Sequence, residues 1–171
     1  MGKAVAFMAS LAEGYGELSA VNGEWGSPKI SKGENYRGLP YVILDYPRVF
    51  GREDVLAIRT MFWWGHYFSI TLHLKGQYRD GLLTAIQAYI PLLAAKGFHI
   101  GISGDEWRHE LADDNYMALE GLDQPAIEKA LDKGRAFLKL SATCGLDRWD
   151  EAPEVLTDLF RVLVAVINTK N

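Results

Sequence analysis

Hydrophobic and polar positions change period several times along this chain, and each change marks an expected element. Between residues 3 and 22, Val5, Met8, Leu11, Ala12, Tyr15 and Leu18 recur at steps of three and four, which places them on one face of a helix. Gly14 and Gly16 fall inside this run and weaken it, each by about 1 kcal/mol against alanine. The periodicity then stops. Residues 22–40 are rich in Gly, Ser, Lys and Asn and include Pro28 and Pro40, so they read as an irregular loop. A connection of that length in a compact domain is functional or mobile.

Strand spacing follows. Residues 41–46 are β-rich and end at Pro47, and residues 55–64 form a second run. In residues 67–74, Phe68, Ile70, Leu72 and Leu74 alternate with Tyr67, Ser69, Thr71 and His73. A period of two means one buried face and one polar face. The turn signals at 47–54 and at Gly65 leave no room for crossover helices, so the runs form an antiparallel meander. Helical spacing returns in residues 80–95 through Leu82, Ile86, Tyr89, Ile90 and Leu93, with Lys96-Gly97 as the stop and Pro91 as an expected kink.

Residues 98–102 and 116–120 read as strands. Residues 106–111 read as a hairpin strand behind the Ser103-Gly104-Asp105 turn. A short helix is expected over 124–133, with Asp123 as its N-cap and Pro125 in its first turn. Residues 137–143 give a last strand. The chain closes on a broadly apolar helix, 151–168, of the kind that is clamped against a sheet or a partner subunit. Strands in runs rather than in alternation with helices predict one α+β domain over residues 1–171. Its mainly antiparallel sheet has about six or seven strands, with four helices packed largely on one face.

Composition narrows the function classes. Hydrophobic residues make up 49% of 171 and the net charge is −4, which excludes a disordered chain. Between Gly101 and Glu128, eight acidic residues face one base, Arg108. Phosphate-binding surfaces need the opposite balance, so nucleic acid is not an expected partner. The single cysteine, Cys144, rules out an intramolecular disulfide and gives no support to a cysteine zinc site. No apolar run reaches the ~18–20 residues of a membrane span. Lys3 and the apolar residues 4–9 imitate the start of a signal peptide, but Ser10, Glu13 and Glu17 interrupt it. The expected setting is therefore the cytoplasm, away from membranes.

The candidate chemistry lies in three places. Phe62-Trp63-Trp64-Gly65-His66-Tyr67-Phe68 packs five aromatics around a glycine and a histidine. It reads as a tight turn between core strands, or as a stacking wall with His66 as acid or base. The polar face of residues 67–74 offers Tyr67, Ser69, Thr71 and His73, with Arg59 and Trp63 in the neighbouring row. Half covered by a loop such as 22–40, that face would make a ligand pocket, and Arg59 would hold a carboxylate or phosphate. The acidic stretch 105–123 includes Trp107, Arg108 and His109 and reads as a charged hairpin. No metal site is expected: His66 and His73 are seven apart, hence on opposite faces of one strand, and no closely spaced ligand pair exists. No cofactor-binding pattern is present.

Two runs, Tyr36–Arg48 and Phe62–His66, resemble stretches of small bacterial proteins of uncharacterised function. That resemblance implies a bacterial, cytosolic protein and assigns no residue a role. The leading expectation is small-molecule binding or protein interaction without catalysis. A homodimer is expected through Trp63, Trp64 and the last helix. The alternative is a small enzyme working on the polar sheet face, with His73 as the acid–base residue and Arg59 as the anion anchor.

Overall fold

The computed structural model describes residues 1–19, 25–132 and 134–169. Helix α1 (Gly2–Leu18) leads into strands β1 (Lys29–Tyr36), β2 (Leu39–Phe50), β3 (Val55–Trp63) and β4 (Tyr67–Lys75). Helix α2 (Gln77–Ala95), strands β5 (His99–Gly101) and β6 (Tyr116–Ala118), helix α3 (Gln124–Ala130), strand β7 (Phe137–Gly145) and helix α4 (Ala152–Ile167) complete the order. The strands form one sheet in the order β1-β2-β3-β4-β7-β5-β6, and every pair in it is antiparallel. This is the α+β architecture expected from strands in runs.

Alternation decides which face the helices cover. Leu56, Ile58, Phe62, Phe68, Ile70, Leu72, Leu74, Leu138, Leu140 and Ala142 all belong to the main core. They pack against α1, α2 and α4. The apolar breadth of the last helix is used inside the chain: Leu156, Phe160, Leu163 and Val166 are fully buried. Tyr15 of α1 stacks on Phe160 at 3.8 Å between ring centroids, and its hydroxyl meets Thr60 Oγ1 at 3.1 Å. Among the described residues no helix is long and apolar enough to cross a membrane. Asp123 caps α3 as its position predicts, accepting from the Ala126 amide at 3.0 Å.

Two expectations need correction. Residues 29–36, inside the expected loop 22–40, are the edge strand β1; residues 20–24 lie outside the described residues. An edge strand with polar residues on both sides carries no apolar alternation to read. Its Gly33 lies under the Tyr41 ring, where a Cβ would come within 2.4 Å of that side chain. Residues 106–111 form no strand. They belong to an irregular loop between β5 and β6, closed at its base by the Ile102 amide on the Asn115 carbonyl at 2.8 Å. The β3–β4 turn is as expected, with Gly65 in the left-handed region at φ 73°.

A register shift in β2 matters for the site. Asp45 pairs with Arg59, but Arg48 pairs with Ala57, so an extra residue is accommodated around the cis Tyr46–Pro47 bond. A bulge of this kind switches which side chains face which side. Arg48 and Phe50 thereby join Lys29, Asp45 and Arg59 on the face away from the helices.

Candidate functional site

That second face is roofed. Loop 102–115 lies across it, and almost every anchor is a polar side chain of the sheet. Lys139 Nζ donates to the carbonyls of Glu106 at 2.9 Å and Arg108 at 2.6 Å. The Tyr67 hydroxyl accepts from the Leu111 amide at 3.0 Å. The Tyr36 hydroxyl accepts from the His109 amide at 2.7 Å and donates to the Glu110 carboxylate. Glu110 also pairs with Arg37 at 2.6 Å and with Arg108 at 2.6 Å. Asn115 Nδ2 donates to the Glu110 carbonyl at 2.7 Å, which folds the loop onto itself.

The roof sets the protonation of what lies under it. His73 Nε2 meets Glu106 Oε2 at 3.0 Å, the geometry of an ion pair. Burial and the charge of Lys139 nevertheless outweigh Glu106 and push the His73 pKa down to about 4. At neutral pH His73 is therefore an uncharged imidazole donating to a carboxylate. His109 is pushed down to about 3 by burial and by the charges of Lys139 and Arg59. It faces Arg59 Nη1 at 3.4 Å, so its Nε2 is the accepting nitrogen. Burial, with Arg59 adding to it, lowers Lys139 to about 8. For Glu110, burial acts upward, but the hydrogen bonds from Tyr36, its own amide and Arg108 prevail and hold it at about 2.

Glu110 is thus the hub of the roof. Its replacement by alanine is expected to lower stability by about 1–3 kcal/mol, since the Tyr36 hydroxyl and Arg37 lose their acceptor while Arg108 keeps only Asp114. Urea unfolding measures this. Hydrogen exchange should quicken in residues 104–114 and not in β3 and β4.

Beside the roof the face stays open as a cleft of about 360 Å3, lined by Lys29, Ser31, Asp45, Arg48, Phe50, Arg59 and Trp107. Arg59 is held as a fixed fork by Asp45, Nε to Oδ1 at 2.8 Å and Nη2 to Oδ2 at 2.9 Å. Arg48 Nε donates to the Ser27 carbonyl at 2.7 Å. Among the described residues Lys29 and Arg48 form no ion pair. The Arg59 guanidinium lies over the Phe50 ring at 5.8 Å, and Trp107 meets the His73 ring edge-on at 5.5 Å. Phe50 and Trp107 are 43% and 52% exposed.

The residues singled out in the sequence are distributed unevenly over this arrangement. Arg59, Tyr67, Ser69, Thr71, His73 and Trp63 do share the second face, in the register Arg59–Thr71, Met61–Ser69 and Trp63–Tyr67. Only Arg59 reaches the cleft. Thr71 is hydrogen-bonded to Ser141 at 2.8 Å, and Ser69 is buried. Trp63 belongs to a small second core with Ile43 and Met61. Its ring face is already taken by His66, stacked at 3.7 Å. The cover comes from 102–115 rather than from 22–40, which anchors it through Tyr36 and Arg37 and lends Lys29 and Ser31 to the cleft.

Sequence reasoning missed Asp45, Lys139, Glu106 and Glu110 as partners, and Lys29, Arg48 and Phe50 as cleft residues. A lysine in an apolar strand run, Phe137 to Cys144, was the one available signal. Among the described residues no group of three or more His, Cys, Asp or Glu side chains converges as metal ligands would. No family model matches the chain, and neither a curated protein nor a solved structure is significantly similar to it.

Proposed function

We propose that this protein binds a small planar anion, an aryl carboxylate or aryl phosphate, in the cleft beside the roof, and does so without catalysis. The observation that carries this reading is the composition of the cleft: three cations against one carboxylate, between two half-exposed aromatic rings. Among the described residues the large exposed apolar side chains are Leu18, Phe50, Trp64, Leu92 and Trp107, and two of these five line this one depression. Exposed rings beside arginines suit a flat ligand, because rings stack and a guanidinium holds carboxylate or phosphate through paired bonds. Asp45 fixes the Arg59 fork before any ligand arrives, which lowers the ordering cost of binding.

The alternative, catalysis with His73 as acid–base residue, has less support. His73 is 6% exposed, its Nε2 is engaged by Glu106, and a pKa of about 4 makes it a weak base at neutral pH. A bacterial, cytoplasmic setting belongs to the same proposal, supported by the lone buried thiol of Cys144 and the resemblance of two short runs. A homodimer now has Trp64, 46% exposed, as its support, since Trp63 and the last helix are buried within one chain.

Calorimetric titration with phenyl phosphate tests the binding reading. Saturable binding is expected, with phenol silent. The double variant Lys29→Ala/Arg48→Ala should bind at least tenfold more weakly, as loss of a charge-assisted hydrogen bond removes about 1.5–3 kcal/mol. Equal binding by the double variant would place the ligand elsewhere.

A further inference from the structure

At the β6 edge of the sheet, α3 leaves a slot against β6 and the end of β5. It has a volume of about 380 Å3 and is lined by Ile102, Met117, Ala126, Lys129, Ala130 and Arg135. It shares no residue with the cleft described above. A second depression of about 250 Å3 continues from it past Ile102 and Arg135 to Phe137. The two share Arg135, whose Nη2 donates to the Ser103 carbonyl at 3.1 Å, so its guanidinium is tied down where the two depressions meet.

The walls have a simple chemistry. Ile102, Met117, Ala126 and Ala130 supply aliphatic and thioether surface, without an aromatic ring, a carboxylate or a hydroxyl. Among the described residues, the only ionisable side chains in the lining are cations, Lys129 and Arg135. Lys129 forms no ion pair among the described residues. An apolar slot of this volume lies in the range of small-molecule sites, about 300–1,000 Å3. An aliphatic lining that carries two cations is complementary to a flexible alkyl chain that ends in one negative charge. We infer that the slot between α3 and β6 is a second binding site, for an unbranched medium-chain aliphatic carboxylate, with the chain against Met117 and Ala126 and the carboxylate on Lys129 and Arg135.

The experiment is a calorimetric titration of the full chain with hexanoate, octanoate and decanoate, and with octanol as the uncharged counterpart. Each added methylene buried should tighten binding roughly fourfold, so affinity should climb along the series until the slot is full. Octanol should bind at least tenfold more weakly than octanoate. Lys129→Gln and Arg135→Gln should each bring octanoate towards octanol while leaving phenyl phosphate binding unchanged. Ala126→Leu, which fills the slot from a half-buried position, should block decanoate at unchanged melting temperature. The inference is overturned if no acid in the series binds saturably, if octanol matches octanoate, or if Lys29→Ala/Arg48→Ala, and not the Lys129 and Arg135 variants, removes the binding.

Discussion

Lowering the pH from 7 towards 4 is expected to unfold this protein earlier than carboxylate titration alone would. His73 and His109 ordinarily titrate at 6.5, and in the fold they are pushed down to about 4 and about 3. Between those values the unfolded chain takes up protons that the folded chain refuses, so stability falls as pH falls. Above pH 6.5 both states hold neutral imidazoles and the penalty vanishes. Each imidazole contributes a slope of about 1.4 kcal/mol per pH unit, so the pair gives about 3 kcal/mol per unit. That is a large part of the about 5–15 kcal/mol that holds a typical domain together.

Glu110, held at about 2, adds a further loss below its ordinary range, as protonation removes the acceptor shared by Tyr36, Arg37 and Arg108. Lys139 acts at the other end. Its folded pKa lies near 8 against the usual 10.5, so stability should rise with pH between those values. Urea unfolding at pH 8, 7, 6 and 5 measures the profile. His109→Gln keeps an acceptor for Arg59 without a titrating ring and should remove about half of the slope below pH 6.5. A flat profile from pH 7 to 5 would mean that the roof does not exclude water from the imidazoles.

The second large effect concerns the pair on which the cleft is built. Arg59→Met should cost about 3–5 kcal/mol, because it leaves the Asp45 carboxylate, 5% exposed, without its counter-charge. Asp45→Asn combined with Arg59→Met should recover most of that loss, since a buried pair replaced on both sides leaves no uncompensated charge. Both proteins should fail to bind phenyl phosphate. A double-mutant cycle by denaturation separates the two effects: stability returns in the double variant and binding does not.

These residues also show what the sequence could and could not reveal. The alternation of residues 67–74 placed Thr71 and His73 on one face, and neighbouring rows put Arg59 beside them, because strand geometry is local and has a period of two. The apolar breadth of residues 151–168 likewise points to a helix clamped on a sheet or on a partner subunit, and within the chain it is the sheet core that it covers. Loop 102–115 has no such period. Its shape is dictated from afar: the Tyr36 hydroxyl holds the His109 amide across 73 positions, and Lys139 holds two carbonyls across 33 and 31. A charged hairpin was the reading that local turn chemistry allowed, and it could not show which distant side chains those charges would meet.

The cleft was hidden for a different reason. Plain alternation through β2 assigns Asp45 and Arg48 to opposite faces. The bulge around Tyr46 and Pro47 reverses that assignment, so Arg48 and Phe50 come to face the same space as Arg59. Pro47 marked the end of the expected strand, whereas β2 runs on to Phe50. The edge strand that brings Lys29 and Ser31 to the cleft has Ile30 and Tyr36 among Gly33 and polar residues, with no alternation, which is why it reads as a loop.

An NMR titration of the full chain with phenyl phosphate separates an anion cleft beside a closed polar network from a site within that network. Saturable shifts are expected for the Trp107 indole, the Arg48 side chain and the Phe50 ring, with the Trp63 indole and the His73 ring unmoved. Shifts confined to Trp63 and His73, or no saturable shift at all, would contradict binding in the cleft.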